Sequence, residues 1–279
     1  MQYFAILLSG NRSPYLRRTN IIFGIQKTFP MLKKERQALI MREVNIRNKV
    51  LHADLSKKLD VSEDTIRRDL QELADEDKLV KVRGGALSKS FQTNSYRGGE
   101  IYKYQEKTII ARKTVPLLSN GMLVLISGGT TTIELARILP RELEVTFYTP
   151  SLLVALQLAE HPNSDTILIG GRISRNAKIS TGGEVVSVLR DIRPDLCLIG
   201  TNSIDARIGI TDSDWEVVDV KKAMIQASEK VGVLSISDKL DNAQKIRIAP
   251  INEIDYLVTE LDPGDPLLSP YKSAGIQVI

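Results

Sequence analysis

Apolar positions in the first third of the chain recur at helical spacing. From residue 32 to about 46, Leu39, Ile40 and Val44 fall on one side of a 3.6-residue period, with Lys, Arg and Glu elsewhere, which predicts an amphipathic helix. Leu51, Leu55 and Leu59 form the apolar stripe of a short second helix over 52–59, broken at Asp60 and Val61. Ser62 then has the character of an N-cap. Glu63 and Asp64 follow in the first turn, where the helix dipole favours acidic groups, and this third helix runs to about Asp75. Residues 78–87 predict two short strands around the glycine pair Gly84 and Gly85. Three helices and then a hairpin is the order of a winged helix-turn-helix.

After residue 88 the pattern changes twice. Residues 88–106 are rich in Ser, Gly, Asn, Gln and Tyr without a period, and read as a linker. From 108 onward, apolar runs of strand length (122–126, 144–148, 166–169, 196–200, 230–235, 256–259) alternate with helical stretches (131–139, 151–160, 185–191, 216–228). Near-continuous apolar strands separated by helices predict an α/β domain, a mostly parallel sheet covered on both faces. The expected organisation is an N-terminal extension of unassigned role (1–30), a winged helix-turn-helix (31–88), a linker (89–107) and an α/β domain (108–279). The extension is either a tail or the product of an upstream start, with Met31 the natural first residue.

Composition narrows the function classes. The 279 residues carry one cysteine and two histidines, so an intrachain disulfide and a paired Cys/His zinc site are both excluded, and no cofactor is expected. Cys197 sits in an apolar run and reads as core. No apolar run approaches the roughly 20 residues of a membrane span, and the short apolar start lacks a basic segment before it; a cytoplasmic protein is expected. Net charge is +4, distributed as +4 over 1–30, +3 over 31–90 and −3 over 91–279. The positive charge therefore lies in the third that carries the helix-turn-helix, the sign expected of a nucleic-acid partner.

On the third helix, Ile66, Leu70 and Leu73 fall within an arc of about 60°, with Arg68 nearly opposite and Arg67 and Thr65 flanking the exposed face. Such a helix suits a major groove, where arginine reaches guanine bidentately. Ser62, Thr65, Arg67 and Arg68 are the expected groove contacts. Lys81 and Arg83 of the wing, with the start of the second helix, are expected over phosphates. Asp69 and Glu72 would repel phosphate and are expected to face Arg68 or other protein.

The second domain opens with Ser127, Gly128, Gly129, Thr130, Thr131 and Thr132, between an apolar strand and a helix. Glycines let backbone approach an anion, the N–H groups of the helix start point at it, and hydroxyls add hydrogen bonds. This is a phosphate cradle, and not a Walker loop, since no glycine is followed by Lys and Ser/Thr at that spacing. Other candidates lie at the carboxyl ends of the expected strands: Thr149, Ser151, Gly170, Gly171 with Arg172, Thr201 with Asn202, and Lys239. Thr211, Asp214 and Glu216 lie in a loop able to close over a ligand, whereas Lys221 and Lys222 read as an exposed helix face.

Residues 60–73, from Asp60 through Thr65, Arg67 and Arg68 to Leu73, followed by Val82 to Ala86, resemble the N-terminal signature of DeoR-type regulators. The resemblance continues through Gly129 to Ala136, Gly170 and Gly171, Ile204 and Asp205, Val220 to Ile225, and Ile254 and Asp255, covering roughly 32–262. It implies a DNA-binding regulator of a carbohydrate operon, expected to be a repressor. It also implies a sensor domain like ribose-phosphate isomerase or CoA-transferase folds, a phosphorylated sugar or similar metabolite as effector, and a homo-oligomer (dimer or tetramer). The chain departs from the family pattern at Ser127 and Ile236, where acidic residues are usual, and at Pro150, where an asparagine is usual; Trp215 is also unusual in its loop. The phosphate cradle is kept while groups that read sugar hydroxyls are changed. Two alternatives follow: a ligand-independent DNA-binding oligomer, and a phosphosugar isomerase. The isomerase needs a positioned acid and base, and the missing carboxylates count against it.

Overall fold

Helix α1 (Lys33–Arg47) buries Ile40, Val44 and Ile46, and the chain then turns at Asn48 into a short strand β1 (Lys49–Leu51). There follow α2 (His52–Leu59), α3 (Glu63–Asp75) and a hairpin of β2 (Leu79–Val82) and β3 (Gly85–Ser88). The computed structural model describes residues 31–89 and 101–279, so the expectation for residues 1–30 and that for the middle of the linker lie outside the described residues. Ser62 caps α3 by accepting a hydrogen bond from the Thr65 amide at 3.2 Å. Ile66, Leu70 and Leu73 are buried, as their arc requires. Two expected core residues are not buried: Leu39 and Leu51 are 37% and 40% exposed. Leu51 belongs to β1, whose pairing with β3 turns it outward; three residues are too few to show a period of two. At Gly85 a Cβ atom would meet the Val50 carbonyl oxygen at 1.9 Å, so β3 approaches β1 closely only because this residue lacks a side chain.

Asp69 and Glu72 turn inward from the face of α3 and hold it to α1. Arg36 Nε and Nη2 donate to Asp69 Oδ2 and Oδ1 at 2.5 and 3.2 Å, with the Asp69 side chain almost wholly buried. Glu72 accepts from Lys33 and Gln37. Removing one partner of a buried ion pair leaves the other charge stranded. Asp69→Ala is therefore expected to cost about 3 kcal/mol. Urea unfolding of the full chain checks this, and an unchanged midpoint would contradict it.

The second part runs α4 (Tyr104–Thr114), β4 (Leu123–Ile126), α5 (Thr130–Arg137), β5 (Thr146–Thr149), α6 (Leu152–Leu158), β6 (Asp165–Leu168), β7 (Arg172–Ile173), β8 (Ser180–Thr181), α7 (Gly183–Arg190) and β9 (Leu196–Gly200). It continues with β10 (Ser203–Asp205), β11 (Gly209–Asp212), α8 (Trp215–Ala227), β12 (Lys230–Leu234), β13 (Ile246–Ala249), β14 (Tyr256–Val258), α9 (Ser269–Ser273) and β15 (Gln277–Val278). Seven strands form one parallel sheet in the order β15-β14-β12-β9-β4-β5-β6. Side chains alternate across it. Val124, Ile126, Leu196 and Leu198 pack with Ile110 of α4, Leu135 of α5 and Leu158 of α6. Leu125, Cys197 and Ile199 pack on the opposite face with Leu189 of α7, Met224 of α8 and Tyr271 of α9. Cys197 is fully buried, and burial pushes its thiol up to about 12, so it is inert core.

The expected parallel α/β sheet is present, with differences at its margins. Helix α4 starts at Tyr104, inside the segment read as linker, because Lys107, Ile110, Ala111 and Thr114 form a buried stripe whose polar members hide it. The three-stranded antiparallel sheet β10-β11-β13 and the β7-β8 pair were not expected, since strands of two to four residues carry little pattern. Among the described residues no helix is long and apolar enough to cross a membrane.

Sequential strands leave β4 in one direction through β5 and β6, and β9 in the other through β12 and β14. The order reverses between β4 and β9. At such a switch point the connections diverge to opposite faces and leave a crevice beyond the carboxyl ends of the strands. Residues from Lys33 to Ile279 belong to one compact unit, and the turn after α1 touches this end of the sheet: Asn48 Nδ2 donates to Asn202 Oδ1 at 2.8 Å.

Candidate functional site

The exposed face of α3 presents the residues expected to read DNA. Arg67 and Arg68 are exposed, and Arg67 pairs with Asp64 at 2.7 Å. Such an exposed pair contributes little to stability and is readily exchanged for phosphate. Ser62 and Thr65 share a hydroxyl contact of 2.9 Å at the helix start. Lys81 reaches Gln71 from β2, and Arg83 stands exposed at the wing turn. At the start of α2, His52 has a lowered pKa, first from burial and then from the positive charge of Arg67, with Lys81 adding to it. The α2 start, α3 and the wing thus form one cationic face.

The second site is a cavity of about 230 Å³ at the crevice between β4 and β9. That volume lies below the roughly 300–1,000 Å³ of pockets for drug-sized ligands, so it suits a small molecule. Ser127 follows β4 directly, and its hydroxyl accepts a hydrogen bond from the Gly200 amide at 3.1 Å, joining the two strand ends across the switch point. Gly128, Gly129, Thr130 and Thr131 follow along the wall and open α5. Gly129 has φ +153°, outside the range L side chains adopt readily, while its absent Cβ would meet only Thr132 Oγ1 at 3.5 Å. A larger residue must therefore move backbone rather than displace a neighbour. Gly129→Val is expected to abolish the response to ligand while sparing operator binding, checked by titrating both in one preparation.

Three lysines converge on this cradle. Lys239 Nζ donates to the Thr201 carbonyl at 2.8 Å, Lys221 Nζ lies 3.3 Å from Asp212 Oδ2, and Lys107 Nζ donates to the Tyr102 carbonyl at 2.5 Å. Burial pushes Lys239 down to about 8, Lys221 lowers it further and Asp212 opposes both. Burial pushes Lys107 down to about 7, helped by Lys239 and opposed by Glu106. Asp212 is the buried carboxylate of the cavity lining, and it is committed: it accepts from the Ser213 and Asp214 amides and from Asn202 besides Lys221. Asp214 caps α8 through the Glu216 amide. A buried cluster of mutually repelling ammonium groups, only partly balanced by carboxylate, is electrostatically incomplete and favours an anion.

Of the residues expected to bind effector, Ser127, Gly128, Gly129, Thr130, Thr131, Thr201 and Lys239 line this cavity. Thr132, Thr149, Ser151, Gly170 and Gly171 do not. The Thr132 hydroxyl bonds back to the Gly129 carbonyl, and Thr149 Oγ1 accepts from the Ser151 amide. Ser151 caps α6, and Gly171 packs against Val185. Lys221, expected on an exposed helix face, is instead buried: its turn of α8 faces the cavity, and Asp212 offsets the cost of its burial. Lys107, Arg175 and Lys178 also line the cavity without a signal in the sequence: Lys107 lies in the stretch that reads as a linker, and Arg175 and Lys178 lie in a loop without pattern. The three positions that depart from the family pattern, Ser127, Pro150 and Ile236, all line this cavity. The cavity is also closed from the side of the DNA-binding unit, by Asn45, Arg47, Asn48 and Lys49 and by Val80, Leu87 and Ser88 of the wing.

Two family models match the chain, one in each part. A model described as the DeoR-like helix-turn-helix domain matches residues 36–92, and one described as the DeoR C terminal sensor domain matches residues 102–261. The HTH-type transcriptional regulator GlpR of Haloferax volcanii is 30% identical over 251 residues, 89% of this chain and 98% of the relative. The glycerol-3-phosphate regulon repressor of Haemophilus influenzae is 30% identical over 207 residues, 74% of this chain and 81% of the relative. A solved structure of ribose 5-phosphate isomerase A from Methanocaldococcus jannaschii aligns more loosely, with TM-score 0.35, 15% identity, and 48% and 53% of the two chains covered. With a helix-turn-helix and a sensor domain matched in sequence and present in order in the fold, this chain belongs to the DeoR family of transcriptional regulators.

Proposed function

We propose that the protein is a ligand-controlled repressor of an operon for carbohydrate or glycerol-phosphate metabolism. Its effector is a small phosphorylated metabolite held at the crevice between β4 and β9. The observation that carries this reading is the convergence of Lys107, Lys221 and Lys239 on the glycine–threonine start of α5, at the place in the sheet where ligands of open α/β folds bind. Oriented N–H groups and several cations together suit a dianion, and a cavity of about 230 Å³ suits a triose- to hexose-sized body. The family relative named for a glycerol-3-phosphate regulon points to the same ligand class. The two carboxylates on the wall are engaged by backbone amides, Asp212 also by Lys221, which counts against the paired carboxylate acid and base of an isomerase and favours a sensor. The regulator acts as a homo-oligomer, since a two-half-site operator needs two recognition helices in fixed spacing.

The test is a panel of phosphorylated sugars and trioses against the free protein. Trp215, the single tryptophan, is 64% exposed beside Asp214 of the cavity wall and reports binding by fluorescence. A true effector at 100 times its Kd should stabilise the fold by about 2.7 kcal/mol. Turnover of any compound in the panel would favour the enzyme reading instead.

A further inference from the structure

We infer that the DNA-binding unit itself completes the effector site, with Arg47 and Asn48 as ligand-binding residues, so that a bound anion bridges the two parts of the chain directly. The inference rests on the anion reading of the cavity given above. Helix α1 ends at Arg47, and Asn48 takes φ +58° to turn the chain into β1. The turn is fixed from its own side: the Ser88 amide donates to the Asn48 carbonyl at 2.8 Å, and the Ser88 hydroxyl to Asn45 Oδ1 at 3.2 Å. From the other side, Asn48 bonds Asn202, Asn202 bonds Asp212 at 3.1 Å, and Asp212 pairs with Lys221. One chain of side chains therefore runs from the turn to the cationic floor. A second runs beside it: Lys107 bonds the Tyr102 carbonyl, the Tyr102 hydroxyl donates to Asp238 at 2.5 Å, and Asp238 lies 3.7 Å from Arg42 of α1.

Charge gives this contact a direction. Arg47 and Lys49 face the cavity from the DNA-binding unit, and Lys107, Lys221 and Lys239 face it from the sensor. Arg47 Nε is buried and lies 2.9 Å from Glu43 but makes no hydrogen bond. Both walls of the cavity carry cations; Glu43 offsets Arg47 and Asp212 offsets Lys221, and the charge left over repels across the cavity. An anion between them turns the repulsion into a bridge, so ligand tightens the seat of the DNA-binding unit on the sensor. Arg67 and Arg68 stay exposed in this arrangement, so what the ligand fixes is the orientation of the recognition helix, not its exposure.

The test is calorimetric titration of the full chain with inorganic phosphate, alongside hydrogen exchange of residues 47–51. Asn48→Gly keeps the left-handed backbone while removing the amide, and Arg47→Gln removes the charge. Each should weaken phosphate binding about tenfold, and phosphate should slow exchange at the turn in the unmodified chain about tenfold. Arg141→Gln, an exposed arginine outside the cavity wall, should change neither. If phosphate binds the unmodified chain, and Lys239→Met abolishes that binding, but both turn variants bind equally well or better and the turn is unprotected, the bridging role is overturned and the cavity reading stands. If phosphate binds the unmodified chain no better than Lys239→Met, both fall.

Discussion

Lys239→Met is expected to bind a phosphorylated effector at least about 30-fold more weakly than the unmodified chain, the low end of the 2–5 kcal/mol lost when one partner of a buried, hydrogen-bonded charge pair is removed. Its ammonium is held at the Thr201 carbonyl, at the carboxyl end of β9 and beside the cradle, so it needs no rearrangement to meet a phosphate oxygen. The fold should not suffer in proportion, since the substitution removes a charge whose burial is costly in the empty cavity. Equilibrium titration by Trp215 fluorescence measures the affinity, and a melting curve shows whether the fold is intact. The same lysines fix the pH dependence. In the empty protein Lys107 and Lys239 lose their protons near 7 and 8, and an anion beside them raises both values. Groups whose pKa rises on binding contribute fully below their free values and lose that contribution as pH climbs through the bound values. Affinity should therefore fall at least about tenfold between pH 7 and pH 9, with proton uptake on binding in that range; below about pH 6 it falls again as the phosphate itself protonates. An affinity flat from pH 7 to 9 would mean that neither lysine touches the anion.

The double substitution Arg67→Ala and Arg68→Ala is expected to lower operator affinity roughly 100-fold, each arginine contributing about 1–3 kcal/mol if it reads a base. Both stand on the exposed face of α3, and the core of the unit, Ile66, Leu70 and Leu73, is untouched. Arg83→Ala at the wing should instead weaken binding to all sequences alike and reduce the slope of affinity against salt, as loss of a phosphate contact does. Operator affinity unchanged in the double variant would remove α3 as the reading helix.

The helical periods at Ile40/Val44 and Ile66/Leu70/Leu73, and the apolar runs of β4, β9, β12 and β14, make the two-part architecture legible in the sequence. Residues whose role depends on tertiary contact were not legible. Lys221 has the local surroundings of a surface lysine, and only the approach of β11 brings Asp212 to it. Lys107 lies in a polar, Tyr-rich stretch whose helix forms because Ile110 and Ala111 find the sheet. Thr149 and Gly170 sit at strand ends, as ligand residues do, yet β5 and β6 lie away from the switch point, and strand order is not written in local pattern. The contribution of Arg47 and Asn48 to the cavity wall depends on how the DNA-binding unit seats on the sensor.

In the proposed function one small anion, bound between β4 and β9, controls the affinity of α3 for DNA. The most direct measurement is binding of the full chain to its own upstream DNA at fixed salt, with and without a panel of phosphorylated metabolites. One compound should shift operator affinity by about 1–3 kcal/mol, some 5- to 150-fold, and Lys239→Met should bind the same DNA but lose the shift. Operator binding that no member of the panel changes, or a shift that survives in Lys239→Met, would contradict it.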